Sequence, residues 1–176
     1  YEWVEYSPWL VHPLAIIGLS YMLFRVIHLA VNAPHLGEYP ISLTRYFSYV
    51  GAFWTLLSGP IQSYDSFCRG LTEIGRPETN EILRQAHRAT NGLIKAFFIA
   101  PIFLKSSELG INESSETYWI DFAVVFYSYP IYLYLNFSGY TDVVIAISRM
   151  CGMTTMPENF NRPYLARNIQ DFWARW

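Results

Sequence analysis

The sequence predicts an all-α fold, a polytopic transmembrane helical bundle with short re-entrant or interfacial helices, and three observations predict it. The chain is apolar and ring-rich: of 176 residues 52% are hydrophobic, 18% aromatic and only 15% charged, against ~25% charged in an average soluble domain. Two apolar runs, residues 10–31 and 118–137, are long enough at 1.5 Å per residue to cross a bilayer. Between and after them lie polar, arginine-rich segments of the kind found outside the hydrocarbon layer.

The first run holds His12, Arg25 and His28 within an otherwise apolar stretch. Residues 46–61 form a shorter apolar run ending in Ser58-Gly59-Pro60, which suits a span whose end is unwound. Residues 63–91 set Arg69, Arg76, Arg84 and Arg88 against Asp65, Glu73, Glu78 and Glu81, the pattern of a polar loop with a surface helix from about Glu78. Residues 92–104 are apolar apart from Lys95 but short, as in a buried or re-entrant helix. The run 118–137 has aromatic residues crowding both ends, as expected of rings anchored at the headgroup level. Residues 143–150 are apolar for less than a membrane thickness and precede the polar turn 157–163, together a half-buried hairpin.

From Pro163, with Asn161 as cap, Leu165, Ile169, Phe172, Trp173 and Trp176 recur at helical spacing, and Arg167, Asp171 and Arg175 share the other face. An amphipathic helix at the bilayer surface fits this pattern. Arginines concentrate in 63–91 and after Tyr140, whereas the loop between carries Glu108, Glu113 and Glu116. The arginine-rich segments are therefore expected on the cytoplasmic side, with 92–104 crossing outward and 118–137 back.

A net charge of −2 excludes a nucleic-acid partner. Cys68 and Cys151 stand far apart without companion ligands, which predicts neither a disulfide nor a zinc site, and no histidine lies at metal-ligand spacing from a second ligand. Residues 1–9 carry Glu2 and Glu5 and no cation, so no cleavable signal is read. The start at Tyr1 and the end at Trp176 within a helical pattern predict a piece of a longer protein, with 1–176 a single membrane-embedded unit truncated at both ends.

Two groups of residues could carry chemistry. Arg25 and His28 share a helix face and are candidates to line a tunnel, or else to bond between packed helices. His12, His35 and His87 read as surface imidazoles. The denser group is Asn136-Phe137-Ser138-Gly139-Tyr140-Thr141-Asp142, either a polar pocket at the inner end of a span, with Gly139 allowing a bend, or a surface turn capped by Ser138 and Asp142.

Phe137-Ser138-Gly139-Tyr140, Asp142, Arg149-Met150-Cys151-Gly152, Pro157-Glu158-Asn159-Phe160-Asn161, Pro163-Tyr164 and Asp171-Phe172-Trp173-Ala174-Arg175-Trp176 follow one another in order. This block resembles the centre of the bacterial membrane-bound O-acyltransferases, nearest to the branch that acetylates alginate or D-alanylates teichoic acid. Gly18-Leu19-Ser20-Tyr21 with Phe24, Ser58-Gly59-Pro60-Ile61 with Tyr64, and Gly92-Leu93-Ile94-Lys95 resemble weaker blocks upstream.

The resemblance implies a bacterial inner-membrane enzyme moving an acyl group from a cytoplasmic thioester, with acetyl-CoA the expected donor substrate and no bound cofactor. The acceptor would be a hydroxyl of an exported or cell-surface polysaccharide, reached directly or through a periplasmic or extracellular partner acyltransferase. It further implies a histidine base directly after the Arg-Trp pair and another farther on. None of His12, His28, His35 and His87 matches either position, so no catalytic residue is assigned within the chain and the chain alone is expected to be inactive. Carried over as substrate-pocket candidates are Asn136, Ser138, Tyr140, Asp142, Asn159, Asn161, Arg162 and Asp171, with Trp173, Arg175 and Trp176 supporting the histidine. Asn136 stands where the family commonly has Asp, which keeps hydrogen bonding and loses the charge. The alternative is a non-enzymatic polytopic protein such as a transporter segment.

Overall fold

The computed structural model describes residues 19–35, 37, 39–55, 60, 62–109, 118–158 and 160–176. Among them every regular element is helical. Helix α1 (Leu19–Asn32) is followed by a 3-10 turn, Ala33–His35. The remainder of the run 10–31 lies outside the described residues.

Helix α2 (Leu43–Val50) starts where the Ser42 hydroxyl accepts from the Arg45 amide at 3.3 Å, and it stops at Gly51. Eight residues rise only ~12 Å at 1.5 Å each. The expected span over 46–61 is therefore corrected to a short helix and a 3-10 turn, Phe53–Thr55. Helix α3 (Tyr64–Thr72) lies inside the segment expected to be loop; Ser63 caps it through the Ser66 amide and Asp65 complements its first turn.

These three helices share one core built from Leu29, Tyr49, Tyr64, Phe67, Cys68 and Met153. Tyr49 is its hub. Its ring meets Tyr64 and Phe67 edge-on at 5.5 and 5.4 Å, and its hydroxyl donates to the Gln62 carbonyl at 2.8 Å. Burial pushes the Cys68 thiol above its ordinary pKa, whereas Cys151 is exposed. A maleimide is accordingly expected to modify Cys151 in the folded protein and Cys68 only after denaturation, read by mass spectrometry. Equal labelling of both in the native state would contradict this core.

The second unit is a helical hairpin. Helix α4 (Thr79–Leu93) runs through a π-helical stretch, Ile94–Ile99, into helix α5 (Ala100–Ser107), and the long helix α6 (Tyr118–Met150) packs against all three. The expectation of a separate short helix over 92–104 thus gives way to the C-terminal part of a longer rod. Pro101 has no amide hydrogen to donate, and the wider π turn immediately before it, closed by the Ala100 amide on the Lys95 carbonyl, absorbs the break.

Small residues set how closely the rods approach. Gly92, Ala96 and Ala100 recur at four-residue spacing, and Ala96 and Ala100 are buried. At the crossing, a Cβ on Gly139 would lie 2.6 Å from the Gly92 carbonyl oxygen and 2.9 Å from the Ala96 amide nitrogen. Only two glycines allow backbones this near each other. Gly139 therefore creates a close crossing inside a continuous helix, and the bend expected there does not occur.

Among the described residues no helix is long and apolar enough to cross a membrane. Helix α6 has the length, ~50 Å at 1.5 Å per residue. Its tyrosines, Asp121, Asn136 and Asp142 dilute the apolar content.

After α6 the chain turns at Gly152, whose φ of 86° brings it against Gly75 where a Cβ would collide with the Gly75 carbonyl. The Gln62 amide and the Ser66 hydroxyl then donate to Thr155, fastening this loop to the α1–α3 core. The helix expected from Pro163 is shorter: Pro163–Leu165 is a 3-10 turn, and helix α7 (Ile169–Arg175) starts later because Asn168, not Asn161, accepts the Asp171 amide at 2.8 Å.

Candidate functional site

Helix α6 distributes its polar residues over different faces, so the residues singled out in the sequence do not share one pocket. Asn136 and Tyr140, one turn apart, line a cavity of about 640 Å³ together with Tyr21, Trp54, Phe97 and Phe137. Tyr140 meets Phe97 edge-on at 5.7 Å. Ser138 is buried, and its hydroxyl donates back to the Leu135 carbonyl at 3.4 Å.

Asp142 faces α4 instead. Its carboxylate accepts from Arg88 Nε at 2.9 Å and from Lys95 Nζ, the latter carried by the π-helical stretch. Arg88 then forks onto Glu158 with two bonds of 2.8 and 2.6 Å, and Arg149 donates to the same carboxylate at 2.7 Å. Three cations and two carboxylates thus join α4, α6 and the loop after α6 in one network. Asp142, Arg88 and Lys95 also edge a polar cavity of about 580 Å³ with Arg84, His87 and Asn91.

The Arg88 guanidinium, helped by Arg149, holds the Glu158 carboxyl below the usual carboxylate range against a push upward from burial. A depressed folded pKa contributes stability fully present above the ordinary glutamate value of ~4.3 and lost as pH falls through the lower folded value. Thermal unfolding scanned from pH 7 to 3 should therefore show a steeper acid loss for the native protein than for Glu158→Gln. Parallel acid limbs would remove Glu158 from the network.

A third place is aromatic. Trp173 and Trp176 line a cavity of about 500 Å³ with Pro130, Tyr134, Tyr164 and Phe172. Trp176 stacks on Phe172 at 5.4 Å and meets Phe160 edge-on at 5.1 Å. Left-handed turns at Phe160 and Arg162, with φ of 59° and 48°, let the Asn161 amide donate to the Arg175 carbonyl at 2.8 Å and the Phe160 amide to the Trp176 carbonyl at 3.3 Å. Those bonds hold the C-terminal end of α7. Asp171 accepts from the Arg167 amide and from Arg175 Nε at 3.0 and 2.7 Å, and these two contacts, the amide first, lower its pKa. Asp171 and Arg175 thereby bind each other, and the Asn161 and Arg162 side chains are exposed. Asn159 lies outside the described residues.

The ordered block from Phe137 to Trp176 is thus distributed over three places along α6 and the segment after it, and relatives align with the chain almost from end to end. No family model matches it. It is 27% identical over 181 residues to the teichoic acid D-alanyltransferase of Bacillus subtilis, covering 96% of this chain and 46% of that protein. To the probable alginate O-acetylase AlgI of Azotobacter vinelandii it is 31% identical over 173 residues, 94% of this chain and 33% of the other. To the peptidoglycan O-acetyltransferase of Helicobacter pylori it is 32% identical over 157 residues, 82% and 29%.

The chain belongs to the membrane-bound O-acyltransferase family.

As a family member it spans between 29% and 46% of the length of these relatives. Within this O-acyltransferase segment, Arg25 and His28 stand apart from the block. The buried Arg25 donates to the Tyr49 carbonyl at 2.6 Å and to the Thr55 hydroxyl, and its guanidinium lies over the Tyr49 ring. It ties α1 to α2 and to the following turn. His28 sits one turn on, with Nδ1 buried and unpartnered among the described residues.

Sequence reasoning missed Arg88 and Lys95 as site residues. Their signal was faint but present: seven residues apart on one helix, and so on one face, they flank Asn91 and Gly92 just where polar sequence turns apolar.

Proposed function

We propose that the parent of this chain is an integral membrane O-acyltransferase of the bacterial inner membrane. On this reading it moves an acyl group from a cytoplasmic thioester to a hydroxyl of an exported or cell-surface polysaccharide. One observation carries the proposal: the ordered block lies on helix α6 and the segment after it, where its residues line the cavity beside Asn136, join Arg88 in the Asp142–Arg88–Glu158 network and line the aromatic cavity beside Trp176. Three relatives named for transfer of acyl groups to teichoic acid, alginate and peptidoglycan support it.

The membrane setting is supported by apolar side chains that no described residue covers. Leu23, Phe24, Ile27 and Val31 on α1, and Trp119, Ile120 and Phe126 on α6, are all substantially exposed. Exposed apolar surface on this scale needs lipid or further helices over it.

In the reaction the acceptor oxygen attacks the thioester carbonyl carbon, a C–O bond forms, the C–S bond breaks, and the hydroxyl proton passes by way of a base to the leaving thiolate. The resemblance assigns the base to a histidine of the parent protein. This chain supplies the surrounding wall: neutral polar groups at the cavity beside Asn136 and a charged brace behind it.

Deleting the parent gene and measuring ester-linked acyl groups on the exported polymer tests the activity. Loss of the esters and their return on re-expression is expected; unchanged ester content would refute the enzyme. The orientation has its own test in intact cells. An impermeant thiol reagent added from outside should leave Cys151 unmodified, and Cys68 is too buried to report.

A further inference from the structure

The polar cavity of about 580 Å³ along α4 is edged by three cations, Arg84, Arg88 and Lys95, and by one carboxylate, Asp142. Glu81 pairs with Arg84, and Glu158 pairs with Arg88 and Arg149. Over this whole set four cations meet three carboxylates, so one positive charge is left over. Donors are spare as well. Lys95 bonds Asp142 with one of its three N–H groups, and Arg84 bonds Glu81 through one nitrogen of a five-donor fork.

Toward the C-terminal end of the rod the same side turns apolar. Ile94 and Ile99 line the cavity itself, because the wider π turn that joins them brings residues five apart onto one side. Ile102, three residues past Ile99 and so on its face, is 64% exposed. Cations at one end and uncovered hydrocarbon at the other is the division that a phospholipid has.

We propose that this cavity seats the phosphodiester of an anionic phospholipid of the inner leaflet, with Lys95 and Arg84 donating to its oxygens and its acyl chains lying on Ile99 and Ile102. The proposal rests on the membrane setting proposed above. The single surplus charge matches the one negative charge of a phosphodiester, and basic hollows on the cytoplasmic side of helical bundles take anionic headgroups. A zwitterionic lipid brings its own ammonium and leaves the surplus uncancelled. A free phosphate would satisfy the cations and leave the isoleucines uncovered.

Native mass spectrometry of the detergent-purified, full-length parent measures the apparent Kd for dioleoyl phosphatidylglycerol and for dioleoyl phosphatidylcholine. Phosphatidylglycerol is expected to bind at least ~10-fold tighter. Arg84→Gln and Lys95→Gln should each weaken it about fivefold, and about 25-fold together, with phosphatidylcholine binding unmoved. Arg76→Gln removes an exposed cation outside the cavity and should change neither lipid. Inorganic phosphate and glycerophosphoglycerol, each at the concentration of the lipid, should not displace it.

Equal affinity for the two lipids would overturn the proposal and leave the membrane reading intact. So would a loss from Arg76→Gln as large as that from Arg84→Gln, since the attraction would then belong to the whole surface. Displacement by inorganic phosphate or glycerophosphoglycerol would assign the cavity to a free phosphate and overturn the lipid. Recovery of the parent in the aqueous fraction without detergent would overturn both readings. Should Lys95→Gln fail to fold, Arg84→Gln and the comparison of the two lipids still decide.

Discussion

Gly139→Ala is expected to destabilise the parent protein by about 3 kcal/mol or more, at the upper end of overpacking costs. The added methyl group would stand 2.6 Å from the Gly92 carbonyl oxygen and 2.9 Å from both the Ala96 amide nitrogen and its Cβ. Two of those three atoms are backbone and cannot rotate aside, so the rods must separate along the whole crossing. Gly92→Ala meets the mirror obstacle, 2.6 Å from the Gly139 carbonyl oxygen, with Val143 and Asp142 side-chain atoms close behind at 3.0 and 3.1 Å.

Because both substitutions force the same separation, the double variant should cost clearly less than the sum of the singles. Ala96→Gly should rescue Gly139→Ala in part, since it removes the Cβ obstacle and leaves the carbonyl. Thermal or denaturant unfolding of the detergent-solubilised parent measures all four. A Gly139→Ala transition within error of the native one would mean that α4 and α6 do not cross at these glycines.

Asp142→Ala is the second large effect, with an expected loss of roughly 2 kcal/mol of stability, the scale of hydrogen bonds to charged groups in a partly buried setting. The carboxylate is the sole anion that both Arg88 and Lys95 contact among the described residues, so its removal leaves two cations facing each other across the gap. Arg88→Ala should cost less, because Asp142 then keeps Lys95 and Glu158 keeps Arg149. Asp142→Asn should fall between native and Asp142→Ala.

On the proposed activity, ester content of the exported polymer should drop at least ~10-fold in Asp142→Ala, a shift worth ~1.4 kcal/mol in barrier. The network braces α6 between its two flanking cavities, and freeing it displaces both walls. Ester content equal to native would separate the network from the chemistry.

Local pattern was legible where one element answered to one stretch of sequence. The apolar run at 118–137 reads as helix because its residues suit one, and Asp171 with Arg175 reads as a pair because i, i+4 residues share a face. The same logic failed at boundaries. Gly139 looked like a place to bend, since a glycine permits one; it is instead a point where the backbones of two helical rods come into contact. Tyr64–Thr72 looked like loop because it opens the polar stretch 63–91, where arginines face acids, yet one hydroxyl cap and the buried pair Tyr64 and Phe67 make it a helix. Asn136, expected in the pocket wall, and Trp173, expected to support a histidine, line separate cavities.

By itself the sequence determined the helical class found among the described residues and the membrane-bound O-acyltransferase family, because composition, helical periodicity and an ordered motif are properties of the chain read along its length. Only the tertiary structure decided which charges meet: Arg88 reaches Asp142 across 54 positions and Glu158 across 70. It also decided that Gly92 and Gly139 touch, and that Asn136 and Asp142 look in different directions. Pairings of that range follow from how two rods cross, and the crossing is set by small residues on both rods at once, which neither stretch of sequence specifies without the other.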